Sequence, residues 1–278
     1  MTLPPGFAFS QSSLHAYADC PRRFQLRYLL GTRWPAAGDE PSIEREQRMR
    51  QGAAFHHLVH QHTLGIPVEK LTPLAAQGDL RRWWNAYLNA APAHLPTTLR
   101  RAEVRLSTPI DKYRLLARYD LLAIDPGRQA VIVDWKTEQY RPRRAQLAKR
   151  WQTLVYPFVL ARAGRPINAN APILPEQIEM IYWFANYPAQ TERFAYDRAQ
   201  HTQTEQTLLA LIHKIKAHQE AIWPLTDDAN KCRYCTYRTL CDLEPAPGKA
   251  PLPAEWEADT PEDDLDDLAL DQAAEIDF

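Results

Sequence analysis

The hydrophobic pattern of the chain has a helical period over its first ninety residues. Apolar and aromatic residues recur at helical spacing through 10–30, 44–64 and 77–90, which predicts three helices. Pro21 interrupts the first of these patterns. Because proline cannot donate the hydrogen bond that a helix interior requires, we expect a break near Cys20.

From residue 102 the period changes to that of β-strands. Segments 102–110, 113–124 and 130–137 are rich in apolar and β-branched residues, and the connectors between them are short and turn-like. Short connectors join neighbouring antiparallel strands, so these three strands are predicted to form a meander. Segment 176–186 predicts a fourth strand and 191–196 a fifth.

Two further helical patterns occur in the second half of the chain. Residues 143–164 predict a helix that Pro157 bends, and residues 197–222 predict a long amphipathic helix that stops before Pro224. Strands interleaved with helices indicate an α/β fold.

The length of 278 residues and the hydrophobic content of 45% suit one large α/β domain or two small ones. There is no run of 18 apolar residues, so no membrane span is expected. The first residues lack the basic start and apolar core of a signal peptide. A cytoplasmic location is therefore the expectation.

The net charge of −1 hides an uneven distribution. Eleven of the 34 acidic residues lie at or after residue 250, where no Lys or Arg occurs, and the 33 basic residues all precede them. We expect residues 1–248 to form the folded domain and residues 249–278 to form an acidic, disordered tail. A basic body favours an anionic partner such as nucleic acid, although ordinary solvated arginines would give the same balance.

Four cysteines in a chain without an export signal suggest metal binding, because a reducing cytosol disfavours disulfides. Three of them form a Cys-x2-Cys-x5-Cys knuckle, and the fourth lies far upstream. Four thiolates can hold a tetrahedral Zn²⁺ or an iron–sulfur cluster, and the spacing alone does not decide between them. The cysteines are Cys20, Cys232, Cys235 and Cys241.

An acid and a base lie side by side at the end of the third predicted strand. Asp134 and Lys136 are two positions apart and share one face of the strand. If the preceding hairpin turns on Gly127, Asp120 lies directly opposite Asp134. Two carboxylates so close need a proton or a cation, and a divalent hard cation such as Mg²⁺ takes oxygen ligands of this kind. A salt bridge from Lys136 to either acid is the alternative.

These residues are part of a longer ordered set. Asp120 and Asp-x-Lys at 134–136 precede a helix with Gln-x-x-x-Tyr, and Gly-x-x-x-His at 52–56 lies upstream. The set resembles the PD-(D/E)xK nuclease superfamily. With the four cysteines, the chain looks like the RecB-like iron–sulfur exonuclease branch, which includes the CRISPR-associated adaptation nucleases. The resemblance covers nearly all of residues 10–243.

The resemblance implies a restriction-endonuclease-like core, a mixed central sheet flanked by helices, with a C-terminal iron–sulfur knuckle tied to the N-terminal helix. It also implies a site for Mg²⁺ or Mn²⁺, in which Lys136 positions the nucleophile. Glu103 would support the ligands of that ion, bind a second metal ion, or be a solvated residue at the edge of the core. The implied metal ligands are His56, Asp120, Asp134 and the carbonyl of Trp135. Gln152 and Tyr156 are implied to keep the site residues and the DNA backbone in position.

For the cysteines the resemblance favours a [4Fe–4S] cluster over a structural Zn²⁺. The implied activity is DNA hydrolysis, as an exonuclease on single-stranded ends, in repair, recombination or CRISPR adaptation. A structure-specific endonuclease and a non-catalytic DNA-binding or partner-binding module are the alternatives. We expect Arg22 and Arg23 to contact DNA, and Arg118 either to contact a phosphate or to pair with the neighbouring acids. The acidic tail would mimic nucleic acid against the basic body, dock on a repair or CRISPR protein, or be a plain solvated tail.

Overall fold

A six-stranded sheet organises the chain in the computed structural model, which describes residues 2–32, 40–233 and 235–241. The predicted tail, 249–278, lies outside the described residues. The strands are β1 (Ala8–Phe9), β2 (Leu99–Ile110), β3 (Tyr113–Asp125), β4 (Gln129–Lys136), β5 (Ile178–Phe184) and β6 (Glu192–Ala195).

Helices alternate with these strands along the chain. The α-helices are α1 (Gln11–Asp19), α2 (Pro21–Phe24), α3 (Glu40–Thr63), α4 (Val68–Leu71), α5 (Gly78–Ala90), α6 (Arg144–Leu147), α7 (Trp151–Ala163), α8 (Arg198–Ala217) and α9 (Ala229–Arg233). A π-helical turn, Gln25–Leu29, extends α2. The expected α/β fold with a mixed sheet flanked by helices is confirmed.

The sheet is mixed and runs in the order β1-β3-β4-β5-β6, with β2 on the other edge of β3. Strands β2, β3 and β4 are antiparallel neighbours, which confirms the predicted meander. Strands β4 and β5 pair in parallel, as do β1 and β3. One edge of β3 is therefore shared by β1, near the start of β3, and by β4, near its end.

Two hydrophobic cores cover the two faces of the sheet. The core on one face includes buried residues of α1, α7 and α8, such as Leu14, Phe158 and Leu208. The core on the other face is rich in aromatic side chains from α3 and α5, such as Phe55 and Trp84. Both helical layers thus flank the point where β4 ends.

The alternation of side chains along β3 shifts by one residue at Asp120. Leu115, Ala117 and Tyr119 belong to the first core, and beyond Asp120 the even-numbered Leu122 joins the same core. On the neighbouring strand, Glu103 takes a left-handed φ of 54° at the same level, while the pairing register is the same on both sides of it. The irregularity turns Asp120 and Glu103 out of the regular ladder, as bulges do next to functional sites.

Two predictions of helix boundaries were wrong, and strand β1 was missed. The helix predicted over 197–222 ends at Ala217, because the following residues turn to the N-terminal region. There the Gln25 side chain donates to the Ala221 carbonyl at 2.8 Å and accepts from the Trp223 amide at 2.9 Å. The helix predicted over 143–164 is split between α6 and α7, and α7 continues through Pro157. Strand β1 was not predicted, because two residues are too few to show a period.

The predicted break near Cys20 is confirmed, since Cys20 has an extended backbone between α1 and α2. Among the described residues, no helix combines the length and the apolar character that crossing a membrane requires.

Candidate active site

The acid and the base of β4 emerge where the strand leaves the sheet. Val131 and Val133 point into the aromatic core, so Asp134 and Lys136 point to the opposite face, toward α7. Asp134 is 3% exposed, and its Oδ2 lies 2.8 Å from the Lys136 Nζ. A buried charge must be paired to be tolerated, and this ion pair meets that need.

Helix α7 presents Gln152 and Tyr156 to this pair. The Gln152 amide group bridges the two charges, because its Oε1 accepts from the Lys136 Nζ at 2.9 Å and its Nε2 donates to the Asp134 Oδ1 at 3.2 Å. The Tyr156 hydroxyl lies 3.5 Å from the same Nε2. Being four residues apart, Gln152 and Tyr156 share one helix face. Both side chains are buried, so they contact this group from the core side of the ion pair.

A second group of potential ligands assembles at the irregularity of β2 and β3. Ligand atoms of His56, Glu103 and Asp120 lie within 4.8 Å of one another, in a set that could hold a metal ion. The Nδ1 of His56 is 3.5 Å from the Asp120 Oδ1. The Trp135 amide donates to the Asp120 Oδ2 at 2.7 Å, which brings this group next to the backbone between Asp134 and Lys136.

The electrostatics favour the charged forms of Lys136 and Asp120. Burial alone would lower the pKa of Lys136, but the carboxylates of Asp134 and Glu138 outweigh it and raise that pKa. Burial alone would raise the pKa of Asp120, but His56, Lys136 and the Trp135 amide outweigh it and lower that pKa. An ionised carboxylate next to an imidazole suits a divalent cation, for which oxygen and nitrogen ligands are usual.

The hairpin register agrees with the sequence prediction. Leu121 pairs with Val133 and Leu122 with Ile132, as a turn centred on Gly127 requires. The next positions along the two strands are Asp120 and Asp134. Asp134 is nevertheless not part of the group formed by His56, Glu103 and Asp120. Its carboxylate contacts Lys136 and Gln152 instead.

A buried ion pair beside Lys136 was missed by the sequence analysis. Arg150 contacts Glu138 through both of its terminal nitrogens, at 2.7 and 3.1 Å, and Glu138 is 6% exposed. The guanidinium lies 6.0 Å from the centre of the Tyr182 ring, and the Lys136 Nζ lies 5.9 Å from it. The available signal was the position of Glu138, two residues after Lys136 in the chain.

Gly52 lets α3 approach the end of β4. A Cβ atom at Gly52 would lie 3.1 Å from the Thr137 Oγ1, immediately after Lys136 in the chain. Gly52 and His56 lie four residues apart and share one helix face. The close approach therefore helps to place the His56 imidazole next to Asp120.

We expect Gly52→Val to lower the rate of substrate hydrolysis by about 10- to 100-fold, because displacing a ligand by about 1 Å is enough for such a loss. The matched control is Ala53→Val, which adds the same branched side chain at the next, exposed position of α3. Initial rates and melting temperatures of both variants provide the measurement. Equal rates for the two variants would show that the close approach is not needed.

The four cysteines line one pocket, with Asp19, Arg23, Lys231 and Arg238 among the other lining residues. Cys20 reaches it from the turn between α1 and α2, and the other three come from the segment after α8. Burial raises the pKa of the Cys232, Cys235 and Cys241 thiols. The structure therefore brings together the four thiols that the sequence analysis grouped.

The three arginines predicted to contact DNA lie in two places. Arg22 and Arg23 are next to the cysteine pocket, where Arg22 donates to the Gln25 side chain and Arg23 pairs with Asp19 at 3.4 Å. The Arg118 Nε donates to the Glu103 Oε2 at 2.7 Å, so Arg118 lies beside the potential metal ligands.

Comparison with known proteins adds a family match. A family model described as the PD-(D/E)XK nuclease superfamily matches residues 8–242, whereas no curated protein matches the chain significantly. A crystal structure from Eubacterium rectale, described as a candidate exonuclease, overlays with a TM-score of 0.50 at 9% identity, over 88% of this chain and 90% of that one. The crystal structure of SSO0001 overlays with a TM-score of 0.38 at 12% identity, over 86% of this chain and 87% of that one. At 9% identity the E. rectale likeness concerns the fold alone.

Proposed function

The chain belongs to the PD-(D/E)XK nuclease superfamily, and we propose that it is a metal-dependent deoxyribonuclease that degrades single-stranded DNA from its ends. The observation that carries the proposal is the junction of two charged groups: Lys136 held by Asp134 and Gln152, next to His56, Glu103 and Asp120. A family member that had lost catalysis would have little reason to keep both.

The donor set fits Mg²⁺ or Mn²⁺. The proposed ligands are His56, Asp120, Asp134 and the Trp135 carbonyl, which offer mostly oxygen atoms. Glu103 is proposed as a ligand of a second ion; its own ligand atom lies within 4.8 Å of those of His56 and Asp120. A divalent cation held there would polarise the scissile phosphate and lower the pKa of a bound water.

The remaining chemistry belongs to side chains of the chain itself. We propose that the Lys136 ammonium orients the attacking water and offsets the charge that develops on the phosphate, since a fixed donor in a partly dry site is effective there. Gln152 holds the Nζ in place, and Tyr156 supports Gln152 from within the core. The ion pair of Arg150 and Glu138 links the start of α7 to the loop that follows Lys136.

An activity assay tests the proposal. Protein purified without oxygen is incubated with single-stranded DNA labelled at either end, with Mg²⁺, Mn²⁺ or EDTA. We expect mononucleotides or short products only with metal, and faster loss of linear than of circular single strands. Equal cleavage of circles would identify an endonuclease, and binding without cleavage would identify a non-catalytic module.

For the cysteine pocket we propose a [4Fe–4S] cluster that ties the N-terminal helices to the segment after α8. Among the described residues, no three of the cysteine sulfur atoms lie within 4.8 Å of one another. A cluster in which each thiolate binds a different iron tolerates wider spacing than a single Zn²⁺ does. Arg23, Lys231 and Arg238 offer positive charge around it. A reducing compartment, the cytoplasm, would keep the thiols available.

We expect Cys20→Ser to abolish cluster retention and to lower the melting temperature, because Cys20 is the ligand that links the N-terminal helices to the distant knuckle. The parent protein purified without oxygen should be brown, with about four iron atoms and four labile sulfides per chain. Iron, sulfide and zinc analysis of both proteins provides the measurement. A colourless parent containing one zinc ion per chain would overturn the cluster.

The biological setting belongs to the same proposal. A RecB-like exonuclease serves repair, recombination or CRISPR adaptation, and the acidic tail, outside the described residues, is proposed to dock on a protein of that pathway. The eleven acidic residues at or after residue 250, with no basic residue among them, would suit a basic partner surface.

A further inference from the structure

The outer half of the β2–β3 hairpin, residues 104–119, carries arginines on its solvent face. Leu115, Ala117 and Tyr119 are buried in the core, so Arg114 and Arg118 project from the other face of β3. The three arginines of this face are Arg105, Arg114 and Arg118, which together are called the arginine strip below.

The register places all three on one surface. Arg105 lies directly opposite Arg118 in the antiparallel pairing, so their side chains project to the same side. The Arg114 guanidinium donates to the hydroxyl of Ser107 on β2, which lies two residues beyond Arg105 on the same face. Arg105 and Arg114 are exposed, and the Arg118 side chain is 28% exposed.

Like charges directly opposite each other destabilise a strand pair unless an anion lies between them. Glu103 supplies one such anion, since its Oε2 accepts from the Arg118 Nε at 2.7 Å. Glu103 also belongs to the group of potential metal ligands with His56 and Asp120. The arginine strip therefore begins at the proposed catalytic centre and leads away from it along the hairpin.

The hairpin has more positive than negative charge, and its acids are engaged. Residues 99–118 contain six Lys or Arg and two acids, Glu103 and Asp111. Asp111, at the tip, binds the Lys216 Nζ of α8 at 2.6 Å. Strand β1 pairs with β3 at Arg114. These contacts hold the hairpin in place, so it presents a fixed rather than an adaptable surface.

We propose that the arginine strip binds the sugar–phosphate backbone of single-stranded DNA and guides the strand to the site of hydrolysis. This inference rests on the proposed nuclease function and adds the path of the substrate. The strip is two strands wide, about 5 Å, which suits one phosphodiester backbone better than a duplex. Arg114 and Arg118 are four residues apart, about 14 Å along the strand, so the strip contacts more than one phosphate.

Binding measurements separate this path from catalysis. The background is Lys136→Met, which is expected to block cleavage, and the probe is a short fluorescein-labelled oligothymidylate with Mg²⁺. Arg105→Glu/Arg114→Glu is compared with Arg128→Glu/Arg198→Glu. The control pair makes the same charge change at two exposed arginines, in the β3–β4 turn and on α8.

We expect the hairpin variant to bind the oligonucleotide at least about tenfold more weakly, and the control to bind within about twofold of the parent. The slope of log affinity against log salt should fall by about 1.4, since each phosphate contact on a single strand contributes about 0.7. The neutral variants Arg105→Gln and Arg114→Gln should each lower this slope by about half as much. They replace the double charge reversal in the test if that variant does not fold.

If the hairpin variants keep the affinity and the salt slope of the parent, the inference is wrong while the nuclease proposal stands. If they lose affinity for duplex but not for single strands, the strip serves another nucleic acid and the inference is also wrong. If the parent itself binds no single-stranded DNA, the proposed function and the inference fail together.

Discussion

Replacing Lys136 with methionine is expected to lower the rate of DNA hydrolysis by about a hundred- to a thousandfold while the affinity for DNA changes little. Removing one fixed donor that acts on developing charge has effects of this size in other hydrolases. The Lys136 side chain is 11% exposed, and its Nζ is held by Asp134 and Gln152 in a fixed position. The loss should therefore appear in kcat rather than in KM.

Lys149→Met is the matched control, because it removes an exposed lysine thirteen residues along the chain. Single-turnover cleavage of end-labelled DNA gives the rate of the chemical step, and fluorescence anisotropy gives the affinity. If Lys136→Met and Lys149→Met cleave equally fast, Lys136 has no part in the chemistry.

The same substitution has a consequence for stability. Without Lys136 the buried Asp134 carboxylate loses its cation, and breaking a buried pair from one side costs about 3–5 kcal/mol. Methionine keeps the volume of the aliphatic stem, so the loss arises from the charge. Lys136→Arg retains the charge and should recover most of the stability but little of the rate, because the planar guanidinium cannot occupy the place of a compact ammonium.

The local part of this site could be predicted from the sequence. Asp134 and Lys136 share a face because strands alternate strictly, and the short turn at Gly127 fixed the register, whose last described pair before the site is Leu121 with Val133. Gln152 and Tyr156 could be placed together for the same kind of reason, since four residues make about one helical turn. Each of these inferences needs only the geometry of one element or of one hairpin.

Contacts between distant elements could not be predicted in this way. The ion pair between Arg150 and Glu138 depends on where α7 begins, and the split at 148–150 leaves no mark in the hydrophobic period. The end of α8 at Ala217 depends on Gln25, nearly two hundred residues upstream, which captures the backbone of residues 221–223. Such tertiary hydrogen bonds override a local helical pattern.

The irregularity at Asp120 illustrates the same limit inside a strand. A regular alternation through "YRLLARYDLLAI" would put Tyr119 and Leu121 in one core, whereas the structure puts Tyr119 and Leu122 there. The pairing register with β2 is unchanged, so β2 must be irregular at the same level. Glu103 on β2 is the residue there with a left-handed backbone. That conformation costs free energy in a non-glycine residue, so such strain persists where a site depends on it.

Asp120→Asn is expected to weaken the binding of Mn²⁺ by about a hundredfold or more and to reduce hydrolysis by about a thousandfold. The substitution keeps the size of the side chain and removes the charge that His56 and the Trp135 amide stabilise. An amide nitrogen cannot bind a cation, and the neutral oxygen that remains is a weaker ligand than a carboxylate. Isothermal titration with Mn²⁺ measures the binding separately from catalysis.

Asp125→Asn provides the control from the same strand. Asp125 is at the end of β3, where one carboxylate oxygen accepts from the Thr98 backbone and hydroxyl, and an asparagine oxygen can accept both. It should bind Mn²⁺ and cleave DNA like the parent. If Asp120→Asn retains Mn²⁺ affinity but loses activity, Asp120 acts on the substrate instead, and the cation belongs with Asp134 and the remaining ligands. If it retains both, the group of His56, Glu103 and Asp120 is a surface charge cluster with no catalytic role.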